Sequence, residues 1–289
     1  MKSEIKVTCV QFAAEPAVFD PSKKAANIDR ICAHIKKLGP GCDLLVFPEL
    51  ATTGYIPIQG YWPEKKIEFA KLAEDPSGGP SLARIQKLVD KAGCTCILGL
   101  PEKARPKYEI YNSAALLEKG QPPRFYHKVH IPVEENHYFI PGYRTTVHST
   151  EVGKIGIAIC YDFMFPEIVR VLGVLGAEII VFILCFPASG SMKRISEPVV
   201  VTRALENQAH VVFCQSAGKL DFAGTPVTLA GNSMIVSSRG KVLATAEVQD
   251  ECLIHATLTE KDLEKGASFF PYFRDRRPEA YKPLVEPLD

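Results

Sequence analysis

The sequence carries almost no net charge: 34 basic residues stand against 33 acidic ones, a formal +1. That balance leaves no overall electrostatic footprint for nucleic acid or an anionic membrane, although a local basic patch would not register in it. Long apolar runs are missing as well. The longest, Ile179 to Phe186, falls far short of the ~20 residues that span a bilayer, and the opening MKSEIKVTCVQFAAEP lacks the apolar core of a secretory leader. No Cys-x-x-Cys pair, His-Glu-x-x-His helix, Gly-rich phosphate loop or Gly-x-Ser-x-Gly elbow occurs. Cys94-x-Cys96 is the spacing of two same-face strand residues, and His127-x-x-His130 would need a third zinc ligand that the sequence does not offer. No metal or organic cofactor is expected. Neither a Pro/Gly/Ser-rich linker nor an internal repeat divides the chain.

What is present is a 289-residue chain with 46% apolar residues, enough for a substantial core. Its nine cysteines are odd in number and scattered, which points to a reduced, cytoplasmic protein rather than a disulfide framework. Strand-like runs at Ile5–Phe12, Asp43–Phe47, Cys94–Leu100, Lys154–Cys160 and Glu178–Phe186 alternate with helical spacing at Pro21–Leu38, Ser81–Ala92, Pro166–Leu175 and Pro198–Gln208. Tyr111–Leu117 and Arg124–Lys128 flank a turn at Lys119-Gly120-Gln121. Val211–Ser216, Asn232–Ser237, Lys241–Ala246 and Cys252–Thr257 add strands, with a hairpin turn at Ser238-Arg239-Gly240. The mixture predicts α/β layers on large mixed sheets. One domain is expected over residues 1–259. The charged, proline-rich tail at 260–289, with its exposed aromatics, is expected at a subunit interface, packing on its own domain being the alternative.

Four residues stand out chemically. Cys160, in KIGIAICYDFMFPE, sits where an apolar strand gives way to a helix, the carboxyl end where open α/β sheets place ligands. The Tyr161 N–H would lie at that turn, free for a developing oxyanion. A buried structural cysteine is the commoner outcome, so position alone does not decide. Glu49, in CDLLVFPEL, follows a strand and a proline, where partial burial would raise its pKa toward that of a useful base; a strand-end ion pair is the plain alternative. Lys128, in RFYHKVHIP, could hold an oxyanion or simply snorkel to solvent. Its neighbours His127 and His130 could instead form a dyad with Cys160. Glu135 is one of two adjacent acids in Val133-Glu134-Glu135-Asn136-His137.

Taken together, FPEL followed by Thr53-Gly54-Tyr55, then YHKVHIP, then GIAICYDFMFPE resemble the nitrilase superfamily of carbon–nitrogen hydrolases. YNSA at Tyr111–Ala114, YFIPG at Tyr138–Gly142, RALENQ at Arg203–Gln208 and DRRPEAY near the end extend the resemblance along the whole chain, in order. The resemblance implies a four-layer αββα sandwich with two mixed β-sheets, paired into a homodimer, with Glu49 as general base, Lys128 as stabilising cation and Cys160 as nucleophile. A second, positioning glutamate is implied seven residues before the glycine of Pro141-Gly142, at Glu135 rather than Glu134.

Cysteine chemistry suits such bonds. A thiolate attacks an unreactive amide and splits hydrolysis into acylation and deacylation. The family's nitrilases read Cys-Trp-Glu at the nucleophile, whereas Cys160-Tyr161-Asp162 resembles the amidase and carbamoylase branch. Its carbamoyl-amino-acid hydrolases carry arginines after the nucleophile; Phe163 and Met164 here favour a neutral or apolar amide. Tyr55 and Phe186 are expected to line opposite walls of the pocket. The expected substrates are therefore small linear amides or N-carbamoyl compounds. Nitrile hydrolysis and a catalytically silent binding scaffold are the alternatives.

Overall fold

The computed structural model describes residues 1–56, 63–105, 108–188, 190–222, 224–247, 249–263 and 271–286. The first strand, β1 (Glu4–Gln11), leads into helix α1 (Ser22–Leu38), whose Ile28, Ile31 and Ile35 repeat at helical spacing and are buried. β2 (Leu44–Val46) lies beyond it, then α2 (Pro63–Leu72), α3 (Pro80–Ala92), β3 (Thr95–Lys103), β4 (Ile110–Leu117) and β5 (Arg124–His127). β14 (Cys252–Thr259) closes the edge of this first sheet, in the order β14-β1-β2-β3-β4-β5. The pairs β1–β2 and β2–β3 are parallel, and the outer pairs antiparallel.

The second sheet is built the same way from β6 (Val147–Thr150), β7 (Gly153–Ile159), β8 (Ile179–Leu184), β9 (His210–Gln215), β12 (Met234–Val236) and β13 (Val242–Thr245), in the order β13-β12-β9-β8-β7-β6. Its parallel centre, β7–β8–β9, is crossed over by α4 (Pro166–Val174) and α5 (Gly190–Asn207). A separate hairpin pairs β10 (Lys219–Phe222) with β11 (Thr225–Thr228).

Alternating side chains of both sheets explain the layering. Val7, Cys9, Leu44, Val46 and Ile97 from the first sheet meet Ile155, Ile157, Ile159, Val181, Ile183 and Val212 from the second in one inner core. The opposite faces are covered by helices: α1 and α3 bury Ile31, Ile35, Ile85 and Val89 on the first sheet, and α4 and α5 bury Val169, Leu172, Val200 and Ala204 on the second. The fold is the expected four-layer αββα sandwich, one that puts the carboxyl ends of β2 and β7 at the rim of a shared core.

One reading of the sequence changes. Pro198 does not start a helix but lies inside α5, which begins at Gly190; a proline removes one ladder bond, and burial of Val200 and Ala204 against the sheet holds the helix through it. In the tail, Phe273 packs at Gly173 of α4 with the Arg170 guanidinium over its ring, so this part folds onto its own chain. The Phe269-Phe270 end of the aromatic segment lies outside the described residues. No helix among the described residues is long and apolar enough to cross a membrane.

Candidate active site

Each candidate side chain is delivered by a strand end and held by the backbone that follows. After β2 the chain turns at Phe47-Pro48-Glu49, and Leu50 adopts φ +50°, an unusual value for a leucine. This turn presses on β3. A Cβ at Gly99 would lie 2.3 Å from the Pro48 carbonyl oxygen and 2.6 Å from Glu49 Cα, so only glycine admits the approach. Lys128 follows β5, its N–H bonded to the Asn112 carbonyl at 2.9 Å and its own carbonyl accepting the Gly142 N–H at 2.8 Å. Glu135 sits in a 3-10 turn, Val133–His137, buried while Glu134 is exposed. Cys160 ends β7 at φ +49°, a strained conformation that turns the side chain out of the strand and into a 3-10 turn over Cys160–Met164.

These four residues converge. Lys128 is fully buried and its Nζ reaches Glu135 Oε1 and Oε2 at 2.8 Å each and Glu49 Oε1 at 3.1 Å. Glu49, Glu135 and Cys160 each offer a ligand atom within 4.8 Å of the others. Such a set could hold a metal ion, yet the Lys128 ammonium already supplies a positive charge between the two carboxylates. Asn112 Nδ2 donates to Glu49 Oε1 at 2.7 Å, while Glu49 Oε2 is buried with no hydrogen-bond partner among the described residues.

Burial dominates the titration of this cluster. It raises the Glu49 carboxyl to about 7, against the pull of Lys128 and with a further push from Glu135. Burial also pushes the Cys160 thiol well up, as do the two glutamates, while Lys128 and the Cys185 N–H on its sulfur pull it down. For Lys128 burial acts to discharge the ammonium, but Cys160, Glu49 and Glu135 together outweigh it and raise its pKa. Lys128 therefore stays charged, and Glu49 is poised to exchange a proton near neutral pH.

The remaining expected residues divide. Tyr55 is buried and donates its hydroxyl to Glu135 Oε1. Its ring shares an apolar cluster with Leu50, Tyr138, Phe139, Cys185 and Leu229. Phe186 is half-buried at the end of β8, its N–H on Gln215 Oε1 at 3.0 Å. The Tyr161 side chain is exposed, and its N–H lies in the first turn of the 3-10 segment, where helical N–H groups have no intrahelical acceptor. Phe163 is not brought to this group. It is wholly buried between Phe182 and Phe213 on the helix side of the second sheet, away from the inner core that holds Cys160. Met164 is exposed. A Cys160–histidine dyad is also not formed: His127 Nε2 bonds Glu102 at 2.9 Å, and His130 Nδ1 bonds Asp162 at 2.8 Å.

Three neighbours were not singled out from the sequence. Asn112 lay within the YNSA motif without a role. Asp162 follows Cys160 by two residues and accepts from both flanks of Lys128. Cys185, at the end of β8, points its backbone N–H at Cys160; its own buried thiol bonds Ser216. The carboxyl end of a buried parallel strand beside β7 was the available signal for Cys185.

Chemically, the cluster offers a thiol, an adjacent base near neutrality, a fixed cation and turn N–H groups, the parts that acyl transfer through a thioester needs. Comparison with known proteins agrees. The carbon-nitrogen hydrolase family model matches residues 6–266. In sequence the chain is similar to a probable nitrilase of Schizosaccharomyces pombe, 29% identical over 286 residues covering 97% of this chain and 98% of that one. It is 28% identical to N-carbamoylputrescine amidase of Arabidopsis thaliana, covering 98% and 96%. In structure it is similar to Saccharomyces cerevisiae Nit3, a member of branch 10 of the nitrilase superfamily, at a TM-score of 0.80 and 25% identity, covering 95% of this chain and 97% of that one.

Proposed function

Because the chain belongs to the carbon–nitrogen hydrolase family, we propose that it is a thiol-dependent amidase of small linear amides or N-carbamoyl compounds. The observation that carries this reading is Glu49: a buried carboxyl raised to about 7, with one oxygen unpartnered, beside the Cys160 thiol. Cys160 is the nucleophile. Glu49 takes the thiol proton as the sulfur–carbon bond forms, and the carbonyl oxygen becomes an oxyanion between the Lys128 ammonium and the Tyr161 N–H. Collapse breaks the carbon–nitrogen bond, and Glu49 returns the proton to the leaving nitrogen, which departs as ammonia or an amine. Water then gives a proton to Glu49, attacks the thioester and releases the acid, or carbamate, while Glu49 reprotonates the thiolate. Glu135 aims and neutralises Lys128, itself held by Tyr55.

Amides are favoured over nitriles by the Cys160-Tyr161-Asp162 sequence and by the amidase name borne by one of the relatives. Tyr55 and Leu229, which share an apolar cluster with Cys185, favour a small apolar acyl group, and Phe186 is taken as a further wall. The same reading takes the enzyme as a homodimer of the cytoplasm; exposed Val171 and Val174 on α4, with Leu175 just after it, favour a second copy on that face. The test is ammonia release from matched amide, carbamoyl and nitrile substrates by the wild type and by Cys160→Ala and Cys160→Ser. Amide turnover lost in both variants with folding intact is expected. Full activity in Cys160→Ala, or turnover of the nitrile alone, overturns the reading.

A further inference from the structure

Asp162 is fully buried, two residues after the nucleophile, and its carboxylate collects donors from two different sheets. Oδ2 accepts the Ile159 N–H at 3.1 Å and the Tyr126 hydroxyl at 2.8 Å; Oδ1 accepts the His130 N–H at 2.9 Å and sits 2.8 Å from His130 Nδ1. Ile159 immediately precedes Cys160, so the first of these bonds holds the nucleophile's turn closed around its positive φ. Tyr126 and His130 lie two residues before and two residues after Lys128. The same carboxylate therefore grips the lysine's strand on both sides. His130 adds a second hold, its ring stacked on Phe165 at 3.6 Å and nearly parallel, at the start of α4. Tyr126 itself is buried in the inner core.

A buried carboxylate with this many donors is costly to place and rigid once satisfied. Its donors are divided between the element that carries the thiol and the element that carries the ammonium. We propose that Asp162 is a positioning residue that fixes Lys128 against Cys160, setting the register between the two sheets at the reacting atoms. The inference rests on Cys160 and Lys128 being the reacting groups; it requires no particular substrate. Reactions that depend on placement lose on the order of 10²-fold for about 1 Å of displacement, so loss of this brace acts on turnover rather than on substrate binding.

The experiment compares Asp162→Asn and Tyr126→Phe with the wild type. Steady-state kinetics on a small amide are measured beside the pH profile of Cys160 alkylation by iodoacetamide, followed on the Cys160 peptide by mass spectrometry, and thermal melting. Asp162→Asn is expected to lower kcat by about tenfold or more with KM within about threefold, and to move the alkylation profile to higher pH as Lys128 loses its hold on the thiolate. Tyr126→Phe, which removes one donor and keeps the ring, shows the same pattern more weakly. It carries the test if Asp162→Asn does not fold. A lower melting temperature with an unmoved alkylation profile, or kcat unchanged in the variant that folds, overturns the proposal. Alkylation at the iodomethyl carbon reports on the thiol whether or not any amide is turned over, so failure of the amidase reading would leave this profile standing and be told apart from failure of the brace.

Discussion

Replacing Glu135 by glutamine tests the electrostatics of the site at one atom's cost. Glutamine keeps the shape, and its carbonyl can still accept from Lys128 Nζ and from the Tyr55 hydroxyl, which Glu135 now receives. What disappears is a negative charge with one oxygen within 4.8 Å of a Glu49 oxygen. A unit charge at that separation is worth about 3.5 kcal/mol at an effective dielectric of ~20, or roughly 2.5 pH units. Glu49 stands at about 7 against an ordinary 4.5, with burial the largest cause, Lys128 opposing and Glu135 adding to the rise. Burial remains in the variant, and the charge is spread over two oxygens, so about one pH unit of that ceiling is the expected movement. Its sign is fixed. Losing Glu135 removes a push upward and leaves Glu49 as the carboxylate that balances the Lys128 charge, and both effects lower the pKa of Glu49. As a base Glu49 acts when deprotonated, so the acid limb of kcat/KM should fall from near 7 toward lower pH while the plateau drops through looser aim of Lys128. The assay is ammonia release from a small amide between about pH 5 and 9. An acid limb that stays in place, or moves up, refutes the assignment of Glu49 as the base governed by this cluster.

Two further outcomes follow from the same geometry. Because folding raises the Glu49 pKa from 4.5 to about 7, the folded state holds the extra proton; the stability this contributes is full below about 4.5 and is lost as pH rises to about 7, about 3 kcal/mol in all. Glu49→Gln removes that dependence, so the difference in melting temperature, variant minus wild type, should grow between about pH 5 and 8; a difference that stays constant would contradict the buried, raised carboxyl. Gly99→Ala would drive a Cβ to within 2.3 Å of the Pro48 carbonyl. A loss on the order of 3 kcal/mol in urea unfolding is expected, together with lost activity, and wild-type behaviour on both counts would contradict the close approach.

Sequence reading works where side-chain periodicity carries the information. The Ile28, Ile31, Ile35 stripe of α1 and the apolar runs of β7 and β8 announce both their structure and their burial. It fails where pattern is weak: among its described side chains α2 buries Phe69, Ala70 and Leu72 between charged neighbours, and β10–β11 carries Pro226 and several polar residues. Lys128 shows the limit at the site. A lysine ending a short strand ordinarily reaches solvent, and nothing local in YHKVHIP announces its complete burial, which depends on Glu49 from β2 and on Glu135 from the 3-10 turn. Phe163 shows the reverse. Its nearness to Cys160 in sequence suggests a shared pocket, but Cys160 faces the inner core while Phe163 packs on the helix side of the second sheet, beyond a turn that opens at φ +49°. Asp162 shows the limit seen at Lys128, since two of its donors, the Tyr126 hydroxyl and the His130 N–H, lie more than thirty residues upstream.

The two-sheet core has a consequence for how activity is acquired. Glu49 and Lys128 hang from one sheet and Cys160 from the other, and neither sheet owns a complete set of reacting groups. The site is thus a coincidence detector for the docking of the two halves. In refolding, helices and individual sheets can form before any turnover appears, and the return of ammonia release marks the closing of the interior between them. A chain cut between Lys128 and Cys160 would part these groups and separate β1 from β14, and would regain turnover only on reassociation, which makes catalysis itself the readout of assembly.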